Sequence, residues 1–198
     1  PFVVAANREM DASAIAINEQ RFAANLKSVV ATDEFGRMNE GNVAEFAKFL
    51  PGVGVTYTGG DASAFSLRGM PTAYTSVSQD GSAVASASSS GASRIFQTEQ
   101  VGINNIARIE VTMSPTPDMR ADTLGGAINM ISKSAFERIR PQLVASTFMT
   151  LRDNDPEITF GKAPGPRRNM THPIGPSFDV SWIQPVNNRF GYTLTASY

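Results

Sequence analysis

The sequence contains no cysteine, one histidine and one tryptophan in 198 residues. Without cysteine, disulfides, thiolate metal sites and thiol nucleophiles are excluded together. The lone histidine, His172, sits in a proline-rich stretch and would be the one base open to a Ser-His-Asp triad. No serine stands in a G-x-S-x-G elbow, and no G-x-x-x-x-G-K-[ST] phosphate loop occurs. Asp153, Asp155 and Glu157 could hold a cation in principle, but the glycine and loop length of an EF-hand are missing, and a solvated turn is the plainer reading. The expectation is a protein that is not an enzyme and needs neither metal nor cofactor. Charge is sparse and balanced, with 17 Lys and Arg against 18 Asp and Glu, and no basic block offers the footprint of a nucleic-acid partner. No run approaches the roughly 18 apolar residues of a membrane-spanning helix. Pro1 is neither an initiator Met nor the start of a signal peptide, and the last residues read as strand, so a processed or excised piece of a longer chain is expected.

What is present is an ordinary folding composition, 41% hydrophobic and 18% charged, enough for one domain and part of another. From 11 to about 30, Ile15, Phe22, Leu26 and Val29 keep helical spacing, with Gln20, Arg21, Asn25 and Lys27 on the other face. A second helix is signalled by Asn42 as N-cap with Glu45 three residues on, an apolar stripe of Val43, Phe46, Ala47 and Leu50, and a stop at Pro51-Gly52. Short strands are expected over 53–57, 64–67, 76–79 and 82–85, with Asp80-Gly81 as a hairpin turn. Residues 85–93 (ASASSSGAS) read as an exposed loop. Ile109, Val111 and Met113 alternate with Arg108, Glu110 and Thr112, which predicts a strand with one buried face, and another strand is expected over 127–132.

From about 141 the pattern changes. Phe178, Val180 and Trp182 alternate with Ser177, Asp179 and Ser181, and Phe190, Tyr192, Leu194, Ala196 and Tyr198 alternate with Gly191, Thr193, Thr195 and Ser197. A third strand is expected over 143–151, with weaker alternation because Val144 and Phe148 fall on its polar face. The connection over 152–176 is long and rich in Pro, Gly and Asn, and the next, Val186-Asn187-Asn188, is very short. A transmembrane barrel whose first strand runs outward has long outer loops and short periplasmic turns in that order.

In order along the chain stand Leu50-Pro51-Gly52-Val53, Ser66-Leu67-Arg68-Gly69, Asp80-Gly81, Ile106-Ala107-Arg108-Ile109-Glu110-Val111, and Gly125-Gly126-Ala127-Ile128-Asn129-Met130-Ile131-Ser132-Lys133. Each is common alone, but the ordered set over roughly 40–134 resembles the plug domain of TonB-dependent outer-membrane receptors. The resemblance implies an α+β plug, a small mixed β-sheet with short helices, over 11–138. A TonB-box-like segment would occupy 1–10, and 139–198 would be the opening antiparallel strands of a truncated transmembrane β-barrel.

It also implies function and partners: energised uptake of a scarce ligand, such as a siderophore or glycan, across the Gram-negative outer membrane. TonB and its inner-membrane energising complex, the extracellular ligand and outer-membrane lipid would be the partners. Phe2, Val3, Val4, Ala5 and Ala6 would meet TonB by strand addition, or else form a frayed terminus. Arg68, Glu110 and Arg120 would contact the barrel, with a local salt bridge the plainer reading for Glu110. Tyr74, Thr75, Ser88, Ser89 and Ser90 would lie on ligand-facing loops, or on loops that are merely solvated. Where the family commonly has L-R-G-P after its I-E-V, this chain has Thr112-Met113-Ser114-Pro115. The usual arginine is thus Met113, and Arg120 is the nearby candidate to replace it. A signalling receptor of the same architecture and a soluble α+β binding or adhesion module are the alternatives.

Overall fold

The computed structural model describes residues 12–32, 42–58, 61–84, 95–98, 101–117, 119–121, 123–151 and 174–197. The TonB-box-like segment and the serine-rich loop lie outside these, as does the connection over 152–173. The described elements run α1 (Ala12–Phe22), β1 (Lys27–Ala31), α2 (Val43–Ala47), β2 (Val53–Thr58), β3 (Asp61–Leu67), β4 (Thr75–Gln79), β5 (Ser82–Ala83), β6 (Ile106–Thr112), β7 (Gly126–Ser132), β8 (Gln142–Leu151), β9 (Ile174–Pro185) and β10 (Gly191–Ser197). Five strands form one sheet in the order β1-β6-β7-β4-β5, in which β4 and β7 are parallel and the other pairs antiparallel. The β2–β3 hairpin stands apart, and β10-β9-β8 form a third, antiparallel sheet.

The main core lies between the five-stranded sheet and the layer made by α2 and the hairpin. Phe46 from the helix, Leu50 from the turn after it, and Phe65 and Leu67 from the hairpin meet Ile109, Val111, Ile128 and Met130 from β6 and β7. The helix starts where the Asn42 carboxamide oxygen accepts from the Ala44 amide at 2.8 Å. Glu45 pairs with Lys48.

Glycines in the recurring motifs meet specific backbone demands. The Leu50–Val53 turn places Gly52 at φ 74° and closes with Val53 N donating to Leu50 O at 3.2 Å. Both Arg68-Gly69 and Asp80-Gly81 take two consecutive left-handed residues, as tight turns of the primed type require. Gly126, at φ 123°, begins β7 where an added Cβ would lie 2.6 Å from Thr112 O and 2.9 Å from Leu67 Cδ1. Gly125 beside it would bring a Cβ within 3.0 Å of Tyr74 O. The double glycine lets β7 enter the sheet against two other segments of backbone.

Two expectations are corrected. The segment 11–30 is not one helix: α1 ends at Phe22 and β1 begins at Lys27. Phe22 and Leu26, which fitted the helical stripe, are largely exposed, while Val29 is buried with Ala31 against Ala16. Strand β6 does not have one buried face. Ile109, Glu110, Val111 and Thr112 are all buried, because the core covers one side of the sheet, α1 lies over the other and β1 flanks the strand's edge.

Strands β8 and β9 of the third sheet alternate as expected, whereas β10 does not, its residues being half-buried over 191–193 and exposed over 194–197. Leu143, Met149, Phe178, Trp182 and Leu194 are exposed, and Leu143, Trp182 and Leu194 stand in register across the three strands. Asp179, Ser181 and Ile183 are buried on the opposite side, with Val144 and Phe148 half-buried on that same face. The weaker alternation of β8 arises because its inner face, with Val144, turns toward the cleft lined by Thr32, Ile103 and Lys133. Trp182 and Tyr192 meet edge to face at 5.5 Å. Among the described residues no helix is long and apolar enough to cross a membrane.

Candidate functional site

Sheet register places the connections at two opposite ends of the five-stranded sheet. At one end β7 leaves at Ser132 and the chain passes through a 3-10 turn, Ala135–Glu137, into β8. The first residue of α1, Ala12, lines a cleft of about 310 Å³ there with Thr32, Lys133, Glu137, Gln142 and Ser181. The short connection between β9 and β10 reaches the same turn, since a Cβ on Gly191 would lie 2.7 Å from that of Ala135. At the other end stand Tyr74, Gly125 and Met113, with Gly125 N donating to Tyr74 O at 2.9 Å.

An ionic network runs across the face of the sheet beneath α1. Lys27 Nζ lies 2.8 Å from Glu110 Oε2, which also accepts from Asn129 Nδ2 at 3.2 Å. Asn129 Oδ1 in turn accepts from the Ser78 hydroxyl at 2.9 Å and from Gly81 N at 3.0 Å, so the chain of contacts crosses from β1 to the β4–β5 turn. Burial alone would push the Glu110 carboxyl up. Hydrogen bonds from Lys27 and Asn129 and the Lys27 charge, with the neighbouring Glu19 side chain, more than offset it and hold it below the ordinary glutamate value. Arg108, two residues earlier on the same face, grips Glu19 of α1 with two bonds of 2.9 and 2.7 Å. Its remaining arm reaches Glu137 in the turn that leads to β8, at 3.2 Å. Burial lowers the affinity of Arg108 for its proton, but the two carboxylates outweigh this and raise it.

The other residues singled out in the sequence fall into three groups. Glu110 is buried and paired with Lys27 and Asn129 of the same sheet. Arg68 is exposed and donates to the carbonyl of Met113 at 3.1 Å, at the point where the sequence departs from the family pattern. Met113 itself packs against the core and beside Gly52. Arg120 is exposed, in the connection between β6 and β7. Tyr74 is exposed, whereas Thr75 is buried at the start of β4, which removes it from any ligand-facing surface. Phe2, Val3, Val4, Ala5 and Ala6, and Ser88, Ser89 and Ser90, lie outside the described residues. Sequence reasoning missed Glu19, Lys27 and Glu137. Their acidic and basic character was visible, but their partners are set by folding.

A family model described as the TonB-dependent receptor plug domain matches residues 19–127. No curated protein sequence gives a significant match. Similar solved structures include the ferric citrate transporter FecA in its unliganded form, at 18% identity and TM-score 0.63, covering 100% of this chain and 28% of that one. The siderophore receptor PirA from Pseudomonas aeruginosa is similar at 19% identity and TM-score 0.55, covering 86% and 28%. The copper transporter OprC is similar at 15% identity and TM-score 0.55, covering 81% and 22%. The chain therefore spans about a quarter of the length of these proteins, and at such identities the likeness is one of fold.

Proposed function

The chain belongs to the family of TonB-dependent receptor plug domains, and from that premise we propose that it is the plug, with the opening barrel strands, of a receptor in the outer membrane of a Gram-negative bacterium. The receptor takes up a scarce ligand with energy delivered through TonB. The observation that carries this reading is the two-ended layout. The start of α1, the passage into β8 and the short β9–β10 connection gather at one end of the sheet, and the Tyr74 segment lies at the other. A partner that engages the N-terminal segment then acts at the periplasmic end, while a ligand arrives at the opposite one.

Phe2, Val3, Val4, Ala5 and Ala6 are the segment we assign to TonB, by main-chain pairing. Arg68 and Arg120 are exposed and suited to carboxylates on the closing barrel wall. Glu110 already has partners inside the plug, and a barrel contact would have to share it with them. Tyr74 and the hydroxyls of Ser88, Ser89 and Ser90 suit a polar ligand that offers hydrogen-bonding groups and a face for stacking, such as a siderophore or a glycan. The similar structures carry names that refer to iron, siderophores and copper. The exposed apolar face of β8, β9 and β10 favours a lipid-embedded wall over a soluble module.

The test is uptake by cells carrying the full-length receptor, presented in turn with labelled ferric siderophores and labelled oligosaccharides. Deletion of residues 2–6 is expected to abolish accumulation of the transported ligand while leaving its binding at the cell surface intact. Accumulation at the undeleted rate overturns the assignment of that segment.

A further inference from the structure

Two arginines mark one rim of the three-stranded sheet. Arg140 stands two residues before β8 begins at Gln142, and Arg189 two residues before β10 begins at Gly191. Gln142 pairs with Ile183 and Gly191 with Pro185, so the two arginines flank the end of β9 on the same rim. Both are exposed, and neither forms an ion pair among the described residues. Glu137 is the one acidic residue over 134–143 and 185–192, and Arg108 holds it. Arg138 lines the inner cleft instead.

The turn that carries Arg189 is tightly fixed. Asn187 Oδ1 accepts from Arg189 N at 2.8 Å and from Phe190 N at 2.7 Å, while Phe190 O accepts from Val186 N at 3.1 Å and Asn187 N at 2.9 Å. From there a run of rings leads toward the outward face. The Phe190 and Tyr192 centroids are 6.3 Å apart, and those of Tyr192 and Trp182 are 5.5 Å apart. Phe136, Ile139 and Val186 are exposed along the same rim. Unneutralised guanidinium groups beside bare rings and alkyl groups suit neither water nor hydrocarbon. They suit the boundary between the two, where aromatic rings sit at headgroup level and basic side chains reach anionic groups.

We propose that Arg140 and Arg189 form a docking rim for anionic phospholipid in the periplasmic leaflet of the membrane. Each guanidinium presents a planar fork that matches two oxygens of a headgroup phosphate. The strands that the two arginines precede lie on either side of β9, about 10 Å apart, so each arginine can hold a phosphate of its own. The Phe190, Tyr192 and Trp182 rings then pack against the first part of the acyl chains. A zwitterionic lipid also offers a phosphate, but its ammonium group cancels the charge. The rim therefore selects for headgroups with net negative charge, and it fixes the depth at which β8, β9 and β10 sit.

The inference rests on the lipid-facing reading of β8, β9 and β10, and one experiment separates the two. The full-length receptor carries Val186→Cys, labelled with a fluorophore and otherwise free of thiols, in phosphatidylcholine vesicles. A small, equal fraction of brominated phosphatidylglycerol or of brominated phosphatidylcholine is added, and quenching of the label reads which lipid gathers at the rim. Phosphatidylglycerol is expected to be enriched about fivefold over phosphatidylcholine, the worth of one basic side chain at an anionic surface. Arg140→Gln with Arg189→Gln is expected to bring that ratio close to one. Added salt is expected to shrink the ratio in the parent and leave it unchanged in the double variant. Equal quenching by the two lipids in the parent, or a preference that survives the double substitution, overturns the proposal and leaves the lipid-facing wall standing. Absence of quenching by either lipid overturns both.

Discussion

At Gly126 and Gly69 the same residue type answers two different demands, and the cost of replacing each differs accordingly. Gly69 has φ 72° and open space around a would-be Cβ. Gly69→Ala therefore carries backbone strain alone, about 1 kcal/mol. At Gly126 the added Cβ would meet the Thr112 carbonyl and Leu67 as well. Gly126→Ala is expected to cost at least about 3 kcal/mol, since the strand must move as well as strain. Denaturant midpoints of the two full-length variants check the ranking, and equal midpoints would contradict it. Glu110 yields a pH prediction. Its folded carboxyl sits below the unfolded value, so its stabilising contribution is complete above the ordinary glutamate range and fades as pH falls through the lowered value. Glu110→Gln is expected to flatten that part of the stability-against-pH curve; a curve of unchanged shape would show that Glu110 is not its source. The motif glycines were legible in the sequence because turn chemistry is local. Glu19 was not, since its bond to Arg108 joins positions 89 residues apart.

At the scale of elements, β9 offers the clearest test. Its outward residues Phe178 and Trp182 alternate with the buried Asp179, Ser181 and Ile183. Phe178→Arg is expected to destabilise insertion into a bilayer by about 2–4 kcal/mol if the position lies near mid-depth, and less toward either interface. Reversible folding of the full-length receptor into lipid vesicles measures this, and a cost near zero would contradict a lipid-facing role. A second prediction concerns the joint between the units. Gly191→Ala drives a Cβ into Ala135, so it should loosen the packing of β10 on the turn before β8. Raised protease sensitivity near residues 134–140 would register that, and unaltered cleavage would contradict it. The period-two pattern of β10 is not matched by its burial, whereas that of β9 was readable without a structure, because one face meets a uniform environment. Strand β1 was not, since Leu26 and Val29 satisfy helical spacing equally well and the break at 23–26 carries no proline or glycine. The burial of both faces of β6 was hidden too. Arg108 and Glu110 read as a solvated face until a helix with a matching carboxylate covers them.

In the molecule as a whole, a plug sheet adjoins three strands whose outer surface is apolar and whose inner surface, with Asp179 and Ser181, turns toward it. The family was legible from ordered turn motifs, because those residues fix backbone conformations that the fold cannot do without. The ligand was not, since the surfaces that would meet it lie largely beyond the plug. Because the chain has no cysteine, single cysteines can be introduced along β9 in the full-length receptor without a background, provided its remaining part also lacks free thiols. A fluorophore placed in turn at 178 to 183 in vesicles containing brominated lipid tests the architecture directly. A lipid-facing outer surface predicts strong quenching at 178, 180 and 182 with weak quenching at 179, 181 and 183. Uniform quenching, or the opposite alternation, would contradict it.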